Sequence, residues 1–209
     1  MELQAMELID PRPDDNPWPE CLWPVPAETI LTGVHLTITA FQRSDAAELF
    51  TALDHDDVWT FVRGRPTDAE SYARTLEAAP EAGRWPWVVR RQGEVVGTAS
   101  YMEVSPVDAR LEIGHVAYTP ASWGTIVSPE TMLLLLEWAF VTGRMGRVQL
   151  KTDVRNKRSQ SMIAKLGAQY EGVLRRYQRR ADSSVRDTVM YSVIAEEWPG
   201  VEAGLRARL

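Results

Sequence analysis

Asn156 and Ser159 stand three residues apart, just beyond the strand-like run Arg147-Val148-Gln149-Leu150-Lys151-Thr152, so on a helix they share one face. Ile163 and Leu166 continue that face at the helical period. An amide and a hydroxyl at a helix start, above an apolar stripe, can meet a ligand while the rest of the helix packs. An Asn in that place can equally cap the helix, and the two uses are compatible. A second helix start is marked by Ser128 as N-cap and Pro129 at the first helical position. It follows the loop Pro120-Ala121-Ser122-Trp123-Gly124-Thr125-Ile126-Val127, and backbone N–H groups at such a start suit a phosphate-bearing ligand. The three histidines, His35, His55 and His115, are too scattered to argue a metal site. Cys21 is the one cysteine, which rules out an intrachain disulfide and is given no catalytic role.

The elements that must position these residues can be read from periodicity. His35 to Thr39 alternates as a strand does, and Ser44 to Leu53 reads as a helix opened by Ser44-Asp45. Thr67 to Ala79 reads as another helix, with Thr67 as N-cap and Glu70 three residues on, a capping box. Trp87 to Arg91, the turn Gln92-Gly93-Glu94, and Val95 to Tyr101 form a hairpin, and Arg110 to Tyr118 is a further strand. The helix from Ser128 to about Val141 is apolar over most of its surface and is expected to be buried. Tyr170 to Arg179 pairs with Arg186 to Val193 around Asp182-Ser183. Val201, Leu205 and Leu209 make a short amphipathic helix at the end.

Residues 10–28 carry six of the thirteen prolines, together with Trp18 and Trp23. Proline at that density excludes helix and central strand. The tryptophans argue for a strap lying on the domain or on a second subunit, since disordered segments are poor in aromatics. The organisation expected is an extension over residues 1–28 and a single domain over 29–209.

A chain of 209 residues can bury one core, and 44% apolar with 25% charged residues is ordinary globular composition. The net charge of −6 speaks against a nucleic-acid partner held by phosphate attraction, and leans toward an amine or cationic one. The longest apolar run, Met132 to Leu136, stops at Glu137, far short of a membrane span. Glu2, Glu7 and Asp10 stand where a secretory leader would be basic, so the cytoplasm is the expected compartment.

The run strand, Asn156-x-x-Ser159, Leu166-Gly167-Ala168, Glu171-Gly172, Leu174-Arg175-Arg176 resembles the acetyl-CoA-binding half of the GNAT superfamily of N-acetyltransferases. It is most similar to the RimJ/RimL branch, whose founding members acetylate N-terminal amines of ribosomal proteins. The resemblance implies an α/β fold: a mixed, strongly bent sheet flanked by helices, with acetyl-CoA in a V-shaped cleft between two central strands. It implies no metal. Gly124 matches the first glycine of the superfamily's phosphate loop, Q/R-x-x-G-x-G/A, whereas Ala121 and Ile126 depart from it. Trp123, Gly124, Thr125, Ile126, Val127 and Ser128 are the loop residues implied to hold the cofactor. Val116 and Tyr118 are implied by strand position to offer backbone groups to its pantetheine arm.

In the same family Asn156 would hydrogen-bond that arm, and Arg158, with Arg155 and Lys157, would reach the ribose phosphate. Ser159 would protonate the leaving thiolate or orient a water, because the tyrosine that many relatives place seven after the Asn is Ile163 here. The base position on the penultimate strand falls on Gln178, which cannot take a proton, so Glu112 becomes the candidate base, against a structural salt-bridge role. Trp59, Trp85 and Trp87 fall where acceptor grooves form, and the arginines of 175–186 face either solvent, an acidic substrate or a second subunit. The expected function is acetyl transfer to a primary amine, foremost a protein N-terminus. A small-molecule amine (antibiotic or toxin) is the second reading, and a non-catalytic acyl-CoA-binding protein the third. A homodimer is compatible with all three, and neither a nucleic acid nor a membrane is expected as partner.

Overall fold

A computed structural model describes residues 17–209. Eight strands form one mixed sheet in the order β1-β2-β3-β4-β5-β6-β8-β7. They are β1 Ile30–Thr32, β2 Leu36–Ala40, β3 Arg84–Arg91, β4 Glu94–Ser105, β5 Arg110–Tyr118, β6 Arg147–Asp153, β7 Gln169–Arg179 and β8 Val185–Ile194. The β3–β4 hairpin closes through Gln92 and Gly93, with φ of 53° and 88°. Positive φ at both positions is the turn whose twist matches two antiparallel strands.

Helices cover both faces because the strands alternate. In β3, Trp87 and Val89 point into the larger core, and Val88 between them points into a smaller one. The larger core is built on α4 (Val127–Glu137), whose Met132, Leu135 and Leu136 are fully enclosed. The helix continues to Thr142 as a wider π-type turn. Below it lie α5 (Lys157–Leu166) and α6 (Trp198–Arg206). The smaller core gathers α1 (Ala46–Leu53), the short α2 (Asp56–Trp59) and α3 (Ala69–Glu77).

Three local expectations are corrected. The helix read from Ser44 begins as a 3-10 turn at Arg43–Asp45 and becomes α-helical only at Ala46. At α3 the N-cap is Asp68, not Thr67; its carboxylate accepts from Ser71 N at 2.7 Å, and Ser71, not Glu70, closes the box. At α4 the helix starts at Val127, so Ser128 and Pro129 are its second and third residues and Ser128 caps nothing.

The sheet opens in the middle. β5 and β6 are parallel neighbours only at Arg110↔Arg147, Leu111↔Val148 and Glu112↔Gln149. Beyond Glu112 the two strands pair no further, although β5 runs on to Tyr118 and β6 to Asp153. On its other edge β5 carries a bulge: Ser100 faces Gly114 but Thr98 faces Ala117, which leaves one extra residue in β5. His115 absorbs it with φ of 51°.

Residues 17–28 lie on the domain as a strap. Trp18 Nε1 and Cys21 Sγ both donate to the Arg144 carbonyl, at 2.7 and 3.2 Å. Trp23 sits edge-on to Trp85, Tyr101 and Trp138, with centroids 4.7, 6.2 and 6.3 Å away. The remainder of the 1–28 extension falls outside the described residues.

Candidate functional site

Where β5 and β6 part, two clefts meet. The first, of about 400 Å3, lies between β5, the loop before α4 and the start of α5. The second, of about 460 Å3, lies between β5, β6 and β8. Phe61, Val62, Val116, Asn156, Ser159 and Met162 line both. The two clefts are therefore continuous past Asn156 and Ser159.

Val116, Tyr118, Trp123, Gly124, Thr125, Ser128, Asn156 and Arg158 all line the first cleft. Its loop is held open from within. Thr125 Oγ1 donates to the Ser122 carbonyl and accepts from Val127 N, at 2.7 and 3.3 Å. Gly124 turns the chain at φ of 73°, and a Cβ there would meet nothing. Backbone N–H groups of Gly124, Ile126 and Ser128 have no acceptor among the described residues, and Ser128 Oγ is buried without a partner. Unmatched donors at a helix N-terminus are what a pyrophosphate requires, so these residues fit the acetyl-CoA implied by the sequence. Ile126 and Val127 do not line the cleft with their side chains. Ile126 packs against the core, and Val127 is wholly inside it with its N–H taken by Thr125.

Arg158 lies over the Trp123 ring, its guanidinium carbon 3.7 Å from the centroid, which holds a cation at the cleft rim. Trp123 Nε1 in turn donates to the Tyr118 carbonyl at 3.1 Å. Burial pushes the Tyr118 hydroxyl up to about 12, so it stays neutral. Arg155 and Lys157 are exposed and line neither cleft.

Asn156 is the N-cap of α5: its Oδ1 accepts from Ser159 N at 3.0 Å. The capping use is thus realised, and it leaves the amide NH2 pointing to neither backbone nor side chain among the described residues. Ser159 Oγ makes no hydrogen bond within the described protein. Ile163, in the place of the usual tyrosine, is buried in the core.

Glu112 faces the second cleft, not the first. It is 5% exposed, and its Oε2 is held by Lys151 Nζ at 2.6 Å and by Gln149 Nε2 at 3.4 Å. Its Oε1 has no partner and lies over Gly114, where any Cβ would stand 2.7 Å from it. Burial raises the Glu112 pKa above the ordinary carboxylate value; the Lys151 charge offsets this only in part. Lys151 resists the same burial because Glu112 and Glu103 hold its charge, and its pKa is raised. His115, at the bulge, is drawn down to about 4 by burial and by the neighbouring Arg84 charge, so it is neutral at pH 7.

Gln178 lines the second cleft but is no base. Trp59 and Trp87 are buried in the two cores and Trp85 packs on Trp23, so none of the three forms a wall of the second cleft. The segment Phe61-Val62-Arg63-Gly64 forms that wall instead. Of the charged lining of the second cleft, Arg186 is one of the hairpin arginines for which the sequence leaves an acidic substrate open, whereas it assigns Lys151 and Asp153 no role. Their one signal is charge on strands otherwise rich in Val, Leu and Tyr.

A family model for the acetyltransferase (GNAT) domain matches residues 35–169. An uncharacterised N-acetyltransferase, p20 of Bacillus licheniformis, is 26% identical over 180 residues, covering 83% of this chain and 99% of its own. The crystal structure of a protein described as an acetyltransferase, from T. thermophilus, is 37% identical, with a TM-score of 0.81 over 90% of this chain and 100% of that one. The ribosomal-protein-S5-alanine acetyltransferase of Vibrio fischeri shares the fold at 17% identity, with a TM-score of 0.70 over 82% of this chain and 99% of that one.

Proposed function

Since the chain belongs to the GNAT family of acetyltransferases, we propose that it transfers the acetyl group of acetyl-CoA to a primary amine, foremost an N-terminal amine of a protein, in the cytoplasm. The carrying observation is the junction itself. One cleft ends in unmatched N–H donors at a helix start, the other holds a buried carboxylate, and Ser159 and Asn156 stand in both. The N-terminal acceptor rests on the RimJ/RimL-like sequence pattern and on the fold shared with the S5-alanine acetyltransferase.

Acetyl-CoA supplies an activated thioester carbonyl. The loop N–H groups of Gly124, Ile126 and Ser128 bind its pyrophosphate, and the free Asn156 amide holds the arm. In the second cleft Glu112 Oε1 accepts a proton from the ammonium, directly or through one water, so that the free amine attacks. Its raised pKa keeps it closer to the working pH than an exposed glutamate would be. As the C–N bond forms and the C–S bond breaks, the Ser159 hydroxyl gives its proton to the departing thiolate and takes up the second proton shed by the amine nitrogen. No side chain forms a covalent bond to the acetyl group, so both substrates must be bound together.

A small-molecule amine is the second reading, favoured by an acceptor cleft of only about 460 Å3. Thiol release from acetyl-CoA, followed with a chromogenic disulfide, tests both. Peptides with free N-terminal Ala or Ser should be turned over and their N-blocked forms should not. Turnover confined to small amines would select the second reading. Tight acetyl-CoA binding without turnover of any amine would leave only a CoA-binding protein.

A further inference from the structure

Arg186 has no carboxylate of its own. It projects from β8 into the second cleft, half-buried, and its Nε donates to Thr188 Oγ1 at 2.8 Å. Its two terminal NH2 groups, the prongs of the guanidinium fork, make no hydrogen bond and no ion pair among the described residues. The two acids whose charge reaches it each already hold another cation. Asp153 is bound by Arg180 through Nε at 2.6 Å and NH2 at 3.1 Å, and Glu112 is bound by Lys151 at 2.6 Å. Glu103, the third acid of the cleft, is held by Lys151 and Gln149. Burial pulls the Arg186 pKa below the usual arginine value, and the Asp153 and Glu112 charges oppose that shift. A permanent charge taken partly out of water with its fork unfilled costs stability unless something else fills it.

Resting on the amine-acetylation reading above, we infer that the acceptor carries a carboxylate near its reactive amine, and that the Arg186 fork receives it inside the second cleft. Planar forks match carboxylates and phosphates alike. Glu103, Glu112 and Asp153 in the same cleft repel a dianion more than a monoanion, which favours the carboxylate. Arg63, exposed on the Phe61–Gly64 wall, joins Lys151 and Arg186 as a third cation of the same cleft. The lining is thus balanced, three cations against Glu103, Glu112 and Asp153, where the overall charge of −6 alone would suggest an acidic cleft. In so small a space the amine and the carboxylate belong to one amino-acid-like molecule or to the first residues of one peptide.

The test is thiol release with matched acceptor pairs, compared at equal free-amine concentration. One pair is an amino acid and its carboxamide; the other is Ala-Asp and Ala-Asn, both amidated at the C-terminus. At least one pair should favour the acid by about 10- to 100-fold in kcat/KM, the scale of a hydrogen bond to a charged group. The pair that discriminates identifies the source of the carboxylate. Arg186→Gln should collapse that ratio toward one, and Arg186→Lys, which keeps the charge and loses the fork, should retain part of it. Ratios near one for both pairs in the unaltered protein, or a preference that survives Arg186→Gln, would overturn the inference while leaving acetyl transfer intact. Absence of thiol release with every acceptor would instead remove the transfer reading, and this inference with it.

Discussion

Replacing Lys151 by Met should move the acid limb of the pH–rate profile upward, because Lys151 is what keeps Glu112 ionised. Both side chains are about 6% exposed and their charged atoms are 2.6 Å apart. Removing one partner of a buried pair costs about 3–5 kcal/mol while the survivor stays charged. Glu112 can escape that cost by binding a proton. A penalty of about 3 kcal/mol corresponds to about two pKa units, so the limb should rise by about that much. Below the shifted limb, kcat/KM should fall about tenfold per pH unit. Stability carries the same signature. A carboxyl whose folded pKa is raised favours the fold below its unfolded pKa, about 4.3, and loses that contribution as pH rises through the folded value. The variant should therefore melt close to the parent at pH 4–5 and well below it at pH 8.

The assay is thiol release between pH 5 and 9 with a weakly basic amine, so that acceptor titration does not overlap the limb, beside melting curves at both extremes. Lys151→Arg should return the limb toward its starting position. A limb that stays in place in Lys151→Met, with destabilisation equal at every pH, would refute the assignment of Glu112 as the titrating base and reduce the pair to a structural salt bridge.

Asn156→Ala should lower stability by about 1 kcal/mol through the lost cap and also raise the KM for acetyl-CoA. Asn156→Asp separates the two uses, since it keeps the capping oxygen and loses the amide donor: melting should be preserved while the KM still rises, and an unchanged KM would leave Asn156 as a cap alone. Ser159→Ala should lower kcat more than it raises the KM for acetyl-CoA, because a donor to the leaving thiolate acts in the transition state; movement of KM alone would make Ser159 a binding residue. Trp23→Ala, which removes the ring packed between Trp85, Tyr101 and Trp138, should cost about 2 kcal/mol in denaturant unfolding. Unfolding indistinguishable from the parent would show that the strap adds nothing to the domain.

The fold was legible where one residue pattern answers one local question. The all-round apolar surface of Met132 to Leu136 allowed only a buried helix, and alternation in the strands set which side chains enter which core. Helix starts were less legible. Thr67, Asp68 and Ser71 all carry side-chain oxygens, and the backbone chose Asp68, extended at φ −161°, where the sequence offered Thr67 equally. The two-residue slip at α4 has a similar origin. Ser-Pro marks a helix start in isolation, but Val127 is pulled into the core and draws the helical turn back with it.

The acceptor side was the least legible, and the reason is register. Of the crowded arginines, Arg175, Arg176 and Arg179 are exposed, Arg180 pairs with buried Asp153, and Arg186 enters the cleft. Strand alternation alone would assign them by parity along the β7–β8 hairpin. The ladder slips twice: from Tyr170↔Tyr191 to Gly172↔Met190 two steps on β7 meet one on β8, which reverses the parity, and from Leu174↔Thr188 to Gln178↔Arg186 four steps meet two. Arg176 sits in the slack at φ of 52°, with its N–H on Asp187 Oδ1. Such a bulge has no fixed sequence mark at a non-glycine position. The same holds for His115 on β5, whose bulge lies where the sheet opens. Both irregularities flank the second cleft, which is why its charged lining could be assembled only in three dimensions, while the first cleft, built on a contiguous loop and helix start, was visible in the chain itself.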